Sequence, residues 1–165
     1  MTVSDQGFIH IALFWPEIHP NAGNIARLCA ANGFPLHFVG NPGFRTDDRA
    51  VRRAGLDYWP FVDIRREKDL DELEARLPDS RLLYFSTRAE RLYTDIDYRI
   101  GDCLVFGPES KGLPEEVLRK NWNHALKIPM VSNNVRSLNL ATAVGIAAYE
   151  ALRQIMILSP GKTPC

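Results

Sequence analysis

Short apolar runs and helix-patterned segments alternate along this chain, and that alternation limits its fold more than any other feature. Strands buried between two helical layers read as continuous apolar runs, because both faces of the sheet are covered. Residues 8–14, 36–39, 82–86 and 103–106 have this character, and residues 125–130 read as a last strand. Helical patterns lie between them. Residues 24–32 place Ile25, Leu28 and Cys29 on one face and stop at Gly33. Residues 69–77 open with acids and set Leu70, Leu73 and Leu77 on one stripe. Residues 47–54 read as a short helix ended by Gly55, Pro114 suits the first turn of another, and residues 138–157 form a long helix rich in Ala, Leu and Ile. The expected fold is α/β, with a mostly parallel sheet flanked by helices. No repeat, low-complexity segment or linker interrupts the 165 residues, a length suited to one domain. That domain is expected to span 1–165, with its core at 8–157 and residues 158–165 as a flexible tail.

Composition removes several function classes. No apolar run approaches the ~20 residues that a membrane helix needs. Residues 1–7 are polar, carry an acid and lack the pattern of a signal peptide. Cys29, Cys103 and Cys165 are odd in number and far apart, which argues against a disulfide framework and a zinc site. The four histidines show no ligand spacing, so metal chemistry is not expected. These features point to the cytoplasm. Formal net charge is zero, so a nucleic-acid partner has to be met by local basic patches.

Ligands of open parallel sheets gather beyond the carboxyl ends of the strands. Three polar segments rich in Gly, Pro and Asn fall there, at residues 16–24, 107–114 and 128–140. Each alone reads equally well as turns and helix caps. Together, each beyond a strand, they describe a site. Familiar nucleotide motifs are missing. No G-x-G-x-x-G follows the first strand, and Gly161-Lys162-Thr163 lacks the upstream glycine of a phosphate loop, which would fall at Met156.

The three segments carry a recognisable order. N-x-G-N-I-x-R-L-C-A-x-x-G starts at Asn21, F-G-P-E-x-x-G-L-P at Phe106, and I-P-M-x-x-x-x-x-R-S-L-N-L-x-x-A at Ile128. This order resembles the three motifs of the SPOUT methyltransferases, and within them the short TrmL subfamily that methylates the ribose of the tRNA wobble nucleotide. Arg52-Arg53-Ala54-Gly55-Leu56-Asp57-Tyr58 is similar to the same subfamily. Ala22 and Ala141 depart from its commoner Thr and Ser. The resemblance implies a C-terminal trefoil knot, which pattern reading would not choose because unknotted chains are the physical default. It implies S-adenosylmethionine as cofactor, S-adenosylhomocysteine as product, no metal, the tRNA anticodon region as partner, and a homodimer whose sites are completed by the neighbouring subunit. The alternatives are another tRNA or rRNA target, or a non-catalytic RNA-binding protein of this fold.

By the same resemblance Phe85, Gly107, Ile128, Met130, Ser137 and Leu138 fall at cofactor positions, and Arg27, Ser137 and Asn139 at catalytic ones. Phe85 and Ile128 read equally well as core. Arg27 reads otherwise as a surface arginine. Its pKa above ~12 makes it a poor base and suits phosphate positioning or alkoxide stabilisation. Ser137 also suits an N-cap. Glu109 either fixes its loop through backbone N–H groups or joins a proton path. Arg49, Arg52 and Arg53 share one helical face, with Arg45 just upstream. They contact tRNA phosphates, or form a solvated helix whose Asp47 and Asp48 match its dipole. Apolar residues surround much of the long helix, from Leu138 through Val144, Ile146, Ala147, Tyr149 and Leu152 to Ile155. That fits a dimer contact or a central helix.

Overall fold

The computed structural model describes residues 7–17, 19–43 and 59–158. Six parallel strands form one sheet: β1 (Ile9–Phe14), β2 (Leu36–Val39), β3 (Ile64–Glu67), β4 (Leu82–Phe85), β5 (Asp102–Phe106) and β6 (Ala125–Leu126), in the spatial order β3-β2-β1-β5-β4-β6. Helices α1 (His19–Asn32), α2 (Leu70–Arg76), α3 (Glu115–Lys120) and α4 (Leu140–Leu158) connect and cover it. The apolar runs of β1, β2, β4 and β5 are buried on both faces, as expected.

Alternate strand residues build two cores. On one face Ile9, Ile11, Leu13, Leu36, Phe38, Leu104 and Phe106 meet Ile25, Ala26 and Cys29 of α1 and Val144, Ala147, Ala148 and Ala151 of α4. The small residues of α4 recur at helical spacing and let it lie close to its neighbours. On the other face Ala12, Val39, Tyr84, Cys103 and Val105 share a core with Leu73 of α2, Leu118 of α3 and Leu113 just before α3. This second face also buries a polar seam across three strands. His10 Nδ1 lies 3.0 Å from His37 Nε2, and His37 Nδ1 lies 3.1 Å from Glu67 Oε1. Both contacts are satisfied when His37 donates through Nδ1 to the carboxylate and His10 donates to His37. Burial, then electrostatic interaction with His37 and Arg65, lowers the His10 pKa to about 4, with Asp63 acting the other way.

Several sequence boundaries are corrected. The helix expected at 24–32 begins at His19, so two-thirds of the first polar segment, residues 19–24, is helical. The strand expected over 125–130 ends at Leu126, with Lys127 continuing as an isolated bridge to Leu92. The long helix expected at 138–157 begins at Leu140, and its first turn is capped by Asn139, not Ser137: Thr142 N donates to Asn139 Oδ1 at 3.2 Å. Tyr149 of that helix is exposed. β3 was not foreseen. The helix expected at 47–54, Arg45, Arg49, Arg52, Arg53, Tyr58 and the tail from Ser159 lie outside the described residues. Among the described residues no helix is long and apolar enough to cross a membrane.

Candidate active site

All the strands point the same way, so the polar segments that follow β1, β5 and β6 arrive at the carboxyl end of the sheet. The segment after β5 folds back over its own strand. A Cβ on Gly107 would sit 2.3 Å from the backbone nitrogen of Leu113, so this fold-back requires glycine. Gly112, with φ of 67°, closes the turn by donating to Pro108 O at 2.8 Å. Arg88, from the segment after β4, donates to Leu113 O.

Two glutamates fasten this loop to the one after β1. Glu109 accepts from the backbone N–H of Glu17 at 2.8 Å and from Asn21 Nδ2 at 3.2 Å. Glu17 in turn accepts from the backbone N–H of Ser110 at 2.9 Å and from its hydroxyl at 2.8 Å. Asn21 is buried on α1, and its Oδ1 accepts from Asn139 Nδ2 at 2.9 Å. Asn139 thus caps α4 with its oxygen and holds α1 with its nitrogen. Residues from all three polar segments are joined by side-chain hydrogen bonds. Glu109 is a fastener of its loop, the first of the two roles its sequence position allowed.

Beside this network lies a cleft of about 630 Å³, within the usual size of a small-molecule site. Phe85 and Phe106 stack at 4.7 Å along it. Ile128, Met130, Leu138 and Leu140 add apolar wall, and Arg88, Lys111 and Arg136 bring positive charge. Flat apolar walls, loop backbone and nearby cations suit a ligand with an aromatic base at one end and an anionic group at the other. The two described cysteines offer no nucleophile, since burial raises the Cys29 thiol to about 12 and pushes the Cys103 thiol higher. Among the described residues no group of three His, Cys, Asp or Glu side chains is placed to hold a metal.

Phe85, Gly107, Ile128, Met130, Ser137, Leu138 and Asn139 all line the cleft. Arg27 does not. It lies on the exposed side of α1, outside the lining of the cleft. Sequence reasoning passed over Arg88, Lys111, Arg136 and Asn21 as site residues. The last three sit inside the quoted motifs and were open to notice. Arg88 sits in no motif, and only the fold brings it there.

A model of the SpoU rRNA Methylase family matches residues 9–149. The Escherichia coli K12 tRNA (cytidine(34)-2'-O)-methyltransferase is 44% identical over 149 residues, which cover 89% of this chain and 94% of that one. A solved structure concerned with the 2-OH methylation of C/U34 on tRNA is 50% identical, with a TM-score of 0.82 over 90% of this chain and 96% of its own. The AdoMet-bound rRNA methyltransferase of Sinorhizobium meliloti is 27% identical, with a TM-score of 0.75 over 93% of this chain and 60% of its own. The family match covers the whole described sheet and most of α4, and the chain belongs to the SpoU rRNA methylase family.

Proposed function

We propose that this chain transfers a methyl group from S-adenosylmethionine to the ribose 2′-hydroxyl of nucleotide 34 of tRNA. The observation that carries this reading is the convergence of all three motif segments on one cleft, joined through Glu17, Glu109, Asn21 and Asn139. Relatives that share this chain over most of its length act on cytidine 34 of tRNA, which favours that target over rRNA.

S-adenosylmethionine supplies an activated methyl group, so the protein has to orient the acceptor and manage one proton. Phe85, Ile128, Met130 and Leu138 form walls for the adenine, and Gly107 brings loop backbone close to it. Ser137 faces the same cleft and is placed to orient the cofactor or the ribose. Asn139 spends both ends of its amide on the scaffold, so its part is to position the N-terminus of α4 and the neighbouring Ser137. Arg27 acts on the ribose or its phosphate and stabilises the developing alkoxide. Because Arg27 is outside the lining of its own cleft, it serves the cleft of a second subunit, and the enzyme works as a homodimer. The C-terminal trefoil knot, the single domain spanning 1–165 and the cytoplasmic location belong to the same reading. So do phosphate contacts from Arg45, Arg49, Arg52 and Arg53.

Incubation of total tRNA with labelled S-adenosylmethionine, followed by nucleoside mapping, is expected to place the label on the 2′-oxygen of nucleotide 34. Label confined to another tRNA position or to rRNA would overturn the target. Arg27→Ala is expected to abolish transfer and leave cofactor affinity intact. Loss of both would place Arg27 on the cofactor instead.

A further inference from the structure

Trp15 lies outside the cleft lining and directly follows β1. It is 54% exposed. It is also the non-glycine residue with positive φ among those described, at 50°, a conformation that bulky L residues rarely adopt. The indole is held from beneath. A Cβ on Gly40 would sit 2.0 Å from its Nε1, so glycine is what lets the ring lie against the end of β2. Trp15 N donates to Val39 O at 2.9 Å, and Gly40 N donates to Glu67 O at 2.9 Å, which pins the ring and its support to the ends of β2 and β3. The result is an aromatic surface fixed on one side and open on the other.

Its place along the sheet matters as much. Leu13 pairs with Phe106, so Trp15 leaves the carboxyl end of β1 as the cleft residues Gly107 and Pro108 leave the carboxyl end of the neighbouring β5. Neighbouring strands are only ~4.8 Å apart. Two residues on, Glu17 is fastened to Ser110 at the rim of the cleft. Phe61 and Trp122, the other exposed large aromatics outside the α-helices, lie in short 3-10 turns that precede β3 and β6 and so stand toward the amino ends of the strands.

We propose that Trp15 is a stacking subsite for an unpaired nucleobase of the RNA substrate, next to the nucleotide whose ribose enters the cleft. This rests on the tRNA reading above. Unpaired bases of RNA loops are recognised by stacking on aromatic side chains, which tolerates any base because every base has a π-face. Such a contact works through the π-face and needs no local positive charge. A neutral platform at the rim complements the cations Lys111 and Arg136 inside the cleft.

Methylation kinetics with an unmodified tRNA transcript test the proposal. Trp15→Ala is expected to raise KM for tRNA on the order of 10-fold, with cofactor affinity unchanged, and Trp15→Tyr to recover most of that loss. A direct reading uses Trp59→Phe with Trp122→Phe, which leaves Trp15 alone of the three tryptophans. Its fluorescence is expected to be quenched when the tRNA transcript binds. An unchanged KM in Trp15→Ala, an equal loss in Trp15→Tyr, or unquenched fluorescence at saturating tRNA overturns the subsite. Absence of transfer to nucleotide 34 by the wild-type protein overturns the functional reading instead, and the quenching experiment then still decides the role of Trp15.

Discussion

The two walls of the cleft are built differently. Residues 107–113 are fastened along their length. Gly107 packs against the backbone of Gly112 and Leu113, Glu109 and Ser110 are tied to the start of α1, and Arg88 holds Leu113 O. Residues 127–139 are fastened at their ends. Lys127 bonds Arg91 and Tyr93 through its backbone, Asn139 holds α1 and α4, and residues 131–137 between them are all exposed. Their internal tie is one bond, from Asn134 N to Ser132 Oγ at 3.1 Å. A wall held along its length by backbone and carboxylate contacts keeps its shape without a ligand. A wall held at its ends opens at little cost and can follow the ligand it receives. One wall therefore supplies fixed geometry and the other supplies entry.

That contrast can be tested in order of expected effect. Gly107→Ala forces a methyl group into backbone and is expected to cost about 3 kcal/mol or more, read from a denaturant midpoint. A cost below about 1 kcal/mol would mean the first wall can yield, and the contrast would fail. Glu109→Ala leaves the Glu17 N–H and the buried Asn21 amide without their acceptor. It is expected to cost about 1–3 kcal/mol and, by misplacing the loop, to slow methylation on the order of 100-fold. Asn139→Ala removes one cap and the Asn21 contact, with an expected loss of about 1 kcal/mol and a slower transfer at saturating cofactor. Ser132→Ala removes the internal tie of the second wall and is expected to change stability by no more than about 0.5 kcal/mol. If its thermal midpoint fell as far as that of Glu109→Ala, the two walls would be equally fixed.

The sequence revealed whatever is written in short range. β1, β2, β4 and β5 are apolar runs because helices cover both their faces, and their positions were read to within a residue or so. β3 escaped because Ile-Arg-Arg-Glu lies at an edge of the sheet, where side chains reach water and no apolar run is needed. The start of α1 was hidden because Pro16, Pro20 and Gly23 read as a loop, although proline is tolerated in a first helical turn. The cleft residues were legible through motif order. The reciprocal bonds of Glu17 with Glu109 and Ser110 were not, since they join positions 92 and 93 residues apart and no local pattern records a pairing at that range. Arg88 was invisible for the same reason.

The seam of His10, His37 and Glu67 has a consequence for proton uptake. A histidine with a pKa of about 4 in the folded protein and 6.5 as its ordinary value is neutral in the native state at pH values where the unfolded chain holds a proton. Between those two values the unfolded state binds more protons, so stability falls as pH drops from about 6.5 toward 4. Above that window His10 contributes no pH dependence. Among the described residues His10 Nδ1 is paired with His37 Nε2, and at the far end of the seam Glu67 Oε2 is buried without a hydrogen-bond partner. Mild acid therefore weakens the fold through His10 of β1, a central strand of the sheet, and His10 is not among the residues that line the cleft.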